Sequence, residues 1–343
     1  MASTSHTWQR NTFLTAALAV ITLGLFSALE APRYTYTGYS RSGSRVVKVD
    51  DDSPAVAAGL RLGDELDSVN GIPLRSIGDL EHRLNSGDIW RLVVRRNGTI
   101  LTLQLSPTGQ PPLDVARARS RSVFGLCLVG FTAWAFIASP GAATMLLAVA
   151  GLCFGFLALG SPYVAPGIPR QGLNAIATLA FTVGMVVVVH FLLAFPSRGR
   201  FLERPWAPWF LYAPAVALAT PSIGNVVLPS TLRVDVRVLG TLWTVLSFAY
   251  FLWAIALLVQ RYVATPRVER SKHGLGLMLG ATVAVAVPFL FFTVAPGLWP
   301  ASLRASQAYS PYATATFSIV PLAFAVAAVR SATSSRTSGD TSL

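Results

Sequence analysis

Acidic residues are nearly missing from most of this chain. Eleven of its fifteen Asp and Glu lie between Glu30 and Asp114, and beyond that only Glu203, Asp235, Glu269 and Asp340 remain. Charged residues of both signs make up 12% of the 343 residues against 53% hydrophobic. Soluble domains carry roughly 25% charged residues, so an ordinary soluble globule is excluded. Cysteine is scarce as well: Cys127 and Cys153 both fall in apolar runs and the acidic region has none, which excludes a disulfide framework there. The centres of the apolar runs hold no carboxylate. That disfavours a proton-coupled transporter and a membrane aspartyl protease, both of which need intramembrane acids. The four histidines, His6, His82, His190 and His273, never fall into His-Glu-x-x-His spacing, so the zinc metalloprotease signature is absent. For a rhomboid-type Ser–His pair, Gly160-Ser161-Pro162 is the one faint echo. The chain reads as a non-enzyme that needs no cofactor and no metal. Its net charge of +12 would suggest nucleic acid in a soluble protein. Here the excess gathers at the ends of apolar runs, where membrane topology and attraction to anionic lipids account for it, and no nucleic-acid partner is expected.

What the chain has instead is a series of charge-free intervals at 11–29, 122–169, 171–197, 205–232, 238–260, 273–303 and 305–329. A bilayer-spanning helix takes about 20 apolar residues. The second interval is long enough for two helices, with Ser139-Pro140-Gly141 as a break between them. The expectation is a polytopic α-helical membrane protein of about eight transmembrane helices: 11–29, 122–139, 142–160, 172–196, 206–221, 238–260, 274–296 and 309–330. The fifth is short and carries Pro208 and Pro214.

Basic loops favour the cytoplasmic side. Arg198, Arg200 and Arg204, then Arg261, Arg267, Arg270 and Lys272, then Arg330 and Arg336 share one side if eight helices alternate. That places the C-terminus in the cytoplasm and residues 31–120 outside, in an inner (cytoplasmic) membrane. Arg117, Arg119 and Arg121 run against this rule. The first apolar run reads as an uncleaved anchor, because its uncharged stretch exceeds the usual core of a signal peptide; cleavage within the flank Ser27-Ala28-Leu29-Glu30-Ala31 is the alternative. The domain boundaries that follow are an anchor at 1–30, an extracytoplasmic domain at 31–110, a linker at 111–121, a seven-helix membrane domain at 122–330 and a disordered tail at 331–343.

Residues 34–106 have the pattern of a small α+β domain. Val46, Val47 and Val49 suggest a strand that ends at Asp50-Asp51-Asp52-Ser53-Pro54. A short helix over 54–58 stops at Gly59, and Asn70-Gly71 marks a tight turn. Ser76 with Asp79 forms a capping box for a helix with Ile77, Leu80 and Leu84 on one face. Trp90, Leu92 and Val94 then alternate with Arg91, Val93 and Arg95, and Asn97-Gly98 turns the chain into Leu101, Leu103 and Leu105. The string from Ser53-Pro54-Ala55 through Ala58-Gly59-Leu60 and Gly63-Asp64 to Val69-Asn70-Gly71 resembles the middle of a bacterial PDZ domain.

That resemblance implies peptide or protein C-terminus binding by strand addition, in a groove between a strand and the longer helix. The stretch matching the carboxylate-binding loop is Tyr36-Thr37-Gly38-Tyr39-Ser40; Tyr39 and Ser40 depart from the usual Gly-Leu-Gly-Phe form. The implied site residues are Tyr36, Gly38, Tyr39 and Ser40 on the loop side and Ile77, Leu80 and Leu84 on the far wall. The plain reading of those three is core packing, and a PDZ fold used as a spacer or homodimer contact stands beside the groove reading.

In the membrane region His190, Pro196 and Arg198 close one helix in His190-Phe-Leu-Leu-Ala-Phe-Pro196-Ser-Arg198. The plain reading of His190 is a neutral ring bonded to a neighbouring helix; the sharper one is a sensing residue. This string, with Arg267-x-x-Arg270 and Ile319-Val-Pro-Leu-Ala-Phe-Ala325, resembles the sensor regions of ComP-type histidine kinases. Those kinases have one helix, a PDZ-like outer domain and a helical block. Here the sequence continues only thirteen residues past Arg330, too few for a kinase domain. The resemblance implies a sensor whose cytoplasmic partner, a separate kinase or regulator, carries the output. An adaptor or scaffold that hands captured segments to a separate protease is the alternative.

Overall fold

The computed structural model describes residues 2–74, 87–160, 162, 164, 168–197, 199–227, 236–294 and 308–340. They divide into two compact units: Phe26–Ala118 with Pro162–Arg170, and Met1–Leu25, Arg119–Ser161 and Gln171–Leu343.

The first unit is built on an antiparallel sheet. Its strands are β2 (Tyr39–Ser42), β3 (Arg45–Val49), β4 (Glu65–Val69), β6 (Trp90–Arg96) and β7 (Thr99–Leu105), adjacent in that order, with β5 (Ile72–Pro73) beside β4. Two short strands, β1 (Thr35–Tyr36) and β8 (Thr108–Gly109), pair separately. The period-2 pattern sets the faces: Trp90, Leu92 and Val94 point inward with Val46, Leu66, Val69 and Leu105 to make the core, while Arg91 and Arg95 face out. Asn70-Gly71 and Asn97-Gly98 all have positive φ, which two-residue turns between right-twisted strands require. Helix α2 (Pro54–Ala57) starts at Ser53, whose Oγ accepts from the Val56 amide at 3.3 Å, with Pro54 in the first turn.

The second unit is helical: α1 (Ala2–Glu30), α3 (Pro112–Ala138), α4 (Ala142–Leu159), α5 (Ile168–Ala194), α6 (Ala207–Val227), α7 (Val236–Ala264), α8 (Arg267–Lys272), α9 (Leu275–Phe289), α10 (Ser310–Thr316) and α11 (Ile319–Asp340); α1, α3 and α5 each extend at one end into residues of the first unit. Among the described residues seven stretches are long and apolar enough to cross a membrane: Thr7–Arg33, Pro112–Ala138, Ala142–Leu159, Pro169–Ala194, Val238–Ala264, Leu275–Phe292 and Ser310–Ser334. These match seven of the eight expected spans. The fifth expected span does form a helix, α6, with Pro214 and Pro221 inside it.

Two boundaries also move. The expected linker at 111–121 is mostly helix, since α3 starts at Pro112; Arg117, Arg119 and Arg121 had delayed the apolar run without breaking the helix. The expected disordered tail is helical through Asp340.

Small residues let the helices of this unit approach closely. A side chain at Gly125 of α3 would meet the Leu159 amide at 2.9 Å, and one at Gly155 of α4 would meet the Gly125 carbonyl at 3.2 Å. Helix α6 packs antiparallel against both α5 and α7. Near its start, the Tyr212 hydroxyl pairs with His190 of α5, and the Leu211 carbonyl accepts from the Tyr250 hydroxyl of α7. Near its end, Ser222 Oγ accepts from Trp243 Nε1 of α7 at 2.8 Å, and the Trp243 ring meets Phe181 of α5.

Candidate functional site

Among the described residues strand β2 stands at the end of the sheet order, next to β3. The segment leading into it, Tyr36-Thr37-Gly38, is fastened by its carbonyl oxygens. Thr37 O accepts from the Ala55 amide at 3.0 Å, and Gly38 O accepts from the Asp50 amide at 2.8 Å and from Ser53 Oγ at 3.4 Å. Gly38 has φ +77°, and a Cβ there would run into the Ser53 side chain. Glycine is thus required twice at this position, by backbone conformation and by close approach. Because Ser53 also caps α2, the loop, the cap and the end of β3 form one fastened corner.

The Gly38–Asp50 bond fixes the pairing phase. In an antiparallel ladder bonded and non-bonded pairs alternate, so with Tyr39 opposite Val49 and Ser40 opposite Lys48 the Tyr39 backbone groups point away from β3. Its ring goes inward: Tyr39 is 8% exposed and packs with Val46 and Leu66. Ser40 is exposed. Tyr36 is half-buried and donates its hydroxyl to Asp50 Oδ2 at 3.2 Å, and Lys48 Nζ lies 2.6 Å from the other oxygen of that carboxylate. Burial first, then the neighbouring Asp50 charge, push the Tyr36 phenol up to about 12. Both tyrosines thus make contacts within the fold, and Ser40 is exposed. Ile77, Leu80 and Leu84, named for the far wall, lie outside the described residues.

The Gly63-Asp64 pair of the motif has a structural role that the sequence did not show. Asp64, 2% exposed, receives Arg96 through Nε and Nη2, each at 2.7 Å, and the Arg61 amide at 2.9 Å. Arg96 also donates to the Gly59 carbonyl at 2.7 Å. One carboxylate therefore ties the turn after α2 to the end of β6. The Arg96 hydrogen bonds, ahead of the opposing effect of burial, hold the Asp64 carboxyl below its ordinary range.

In the helical unit, His190 Nδ1 stands 3.0 Å from Tyr212 Oη, the geometry of a ring bonded to a neighbouring helix. Pro196 follows the end of α5, and Arg198 lies outside the described residues. The group that meets the α5 terminus is Arg261, missed in the sequence because it comes from α7: its Nη2 donates to the Leu193 carbonyl at 2.7 Å, which also accepts the Gly199 amide at 3.0 Å. A cation and a loop amide thus satisfy a carbonyl the helix leaves open. His273 pairs likewise with Ser331 Oγ at 2.8 Å.

Residues 29–106 match the family model of the PDZ domain. The match runs from the last residues of α1 to the residue after β7 and contains the whole loop–edge corner. No curated protein matches this chain.

Proposed function

We propose, starting from a PDZ domain joined at both ends to apolar helices, that this chain is a membrane-anchored peptide-recognition protein that works by binding. The observation that carries the reading is the edge position of β2, entered through the Gly38 corner. A peptide added there continues the sheet through main-chain hydrogen bonds. The helical unit supplies the anchor. Helix α6, 21 residues or about 31 Å long, packs antiparallel to two apolar spans along its length, which supports an eighth crossing. Eight crossings put the PDZ domain on the side of an inner membrane opposite the basic segments after α5, α7 and α11, hence outside the cytoplasm.

A relay follows from connectivity. Strand β1 begins five residues after the end of α1, and β8 ends three residues before α3. The two strands pair with each other, and Gln110 Nε2 donates to the Thr35 carbonyl at 3.4 Å. Binding that shifts this clasp would act on α1 and α3 together, which favours a sensor relaying to a cytoplasmic partner over a passive adaptor. Ligand binding biases such an element only by its difference in affinity between two states.

The test uses the full chain in nanodiscs and a panel of C-terminal peptides, each as free acid, as C-terminal amide and with alternate backbone amides N-methylated. Strand addition predicts that N-methylation abolishes binding while the folded protein is untouched, and carboxylate capture predicts weaker binding of the amides. Equal binding of N-methylated and parent peptides would overturn the edge-strand reading.

A further inference from the structure

Between α5 and α6 the helical unit holds an apolar cleft of about 160 Å³. Leu179, Val183 and Val186 form one wall; Ala215, Val216 and Ile223 form the other. The hydroxyls of Thr182 and Thr220 also border it, but each donates to a carbonyl of its own helix, Thr178 O and Val216 O, and offers little to water. An apolar cavity of about 150 Å³ stays dry and accepts hydrocarbon. At one end the His190–Tyr212 bond joins the two walls.

What lies beyond that bond is different in kind. Trp209 precedes Tyr212 by three residues, and 209, 212, 216, 220 and 223 fall on one stripe of α6 by helical spacing. Trp209 is 76% exposed, Phe210 59% and Trp206 46%. Arg204 sits 5.6 Å from the Trp206 ring, and Arg200 and Arg204 are both exposed, with Glu203 as the acid of the same turn. Tryptophan beside arginine marks headgroup level, and guanidinium groups match phosphate. From Tyr212 to Ile223 the cleft runs about 16 Å along the helix, the scale of an acyl chain.

We propose that this face seats one anionic phospholipid. Arg200 and Arg204 take its phosphate, Trp206 and Trp209 lie at its glycerol level, and one acyl chain occupies the cleft between α5 and α6. The assignment rests on the helical unit being in a membrane, which is tested separately by resistance to carbonate extraction.

The full chain, purified in mild detergent, is offered equimolar phosphatidylglycerol and phosphatidylcholine, and retained lipid is counted by native mass spectrometry. One phosphatidylglycerol per chain is expected, preferred by about fivefold for each arginine engaged. Val216→Trp fills the mouth of the cleft from an exposed position and should remove the retained lipid. Arg200→Gln with Arg204→Gln should leave phosphatidylglycerol and phosphatidylcholine retained alike. Unchanged melting of each variant shows that it folds. Wild-type chain that holds both lipids equally, or Val216→Trp chain that keeps its phosphatidylglycerol, overturns the site. Release by carbonate would instead overturn the membrane reading beneath it.

Discussion

The sheet unit and the helical unit satisfy their buried polar groups by different chemistry. All four ion pairs among the described residues fall between Lys48 and Arg117. The most enclosed of them, Asp64 with Arg96, closes a turn against a strand. In the helical unit the corresponding contacts are neutral or single-charged: His190 with Tyr212, Ser222 with Trp243, His273 with Ser331, and Arg261 on a helix-end carbonyl. A solvated domain can desolvate one carboxylate–guanidinium pair, because bidentate geometry and a third donor offset the loss of water. A fixed charge in hydrocarbon would be far more costly, and hydroxyls and ring nitrogens make most of these helix-to-helix contacts.

The comparison is broken most severely at Asp64. Asp64→Ala strands Arg96 without its partner and should cost about 3 kcal/mol, seen as lost hydrogen-exchange protection in β4 and β6 of the full chain with the helices unchanged. Acid should reach the same contact. The folded Asp64 carboxyl titrates below its unfolded value, so its stabilisation is present above the unfolded pKa of about 3.9 and fades as pH falls through the lower folded value. Asp64→Asn should flatten that dependence; an acid melt of the sheet unit that is unchanged in this variant would remove Asp64 as its cause.

In the helical unit the larger effect should come from shape. Gly155→Leu forces a side chain against the Gly125 carbonyl and Val129 and should cost about 2 kcal/mol by overpacking, read as a lower melting temperature in detergent. The polar cross-links should be weaker: Tyr212→Phe is expected to cost about 1 kcal/mol. A loss from Tyr212→Phe as large as that from Asp64→Ala would erase the distinction between the units.

Much of this was legible in the sequence where a local rule governs the residue. Ser53-Pro54, Asn70-Gly71 and Asn97-Gly98 each carry their conformation in their own side chains or lack of them, and the alternation of Trp90, Leu92 and Val94 names its buried face. The Asp64–Arg96 pair spans 32 residues and Arg261–Leu193 spans 68, so no local pattern could join them. The start of α3 was hidden for another reason. Arg117, Arg119 and Arg121 end a charge-free interval but do not end a helix, so a rule that looks for uncharged runs finds only the apolar part of the helix. Gly151 and Gly155 stand four apart within the apolar run, and it takes the partner helix to show that Gly151 makes room for Thr132 and Gly155 for Val129 and Gly125. At the candidate site the place of β2 in the sheet order was not readable, because it depends on which strands pair, and neither were the contacts that Tyr36 and Tyr39 make within the domain.

The account stands most directly on where the PDZ domain is displayed. With Cys127→Ala and Cys153→Ala as background, Thr99→Cys places a thiol at the exposed start of β7, and Ser271→Cys places one in the exposed basic segment after α7. A membrane-impermeant maleimide applied to intact cells should label the first and spare the second until the membrane is opened. Labelling of both alike, or of Ser271→Cys alone, would contradict a recognition domain held on the side opposite the basic segments.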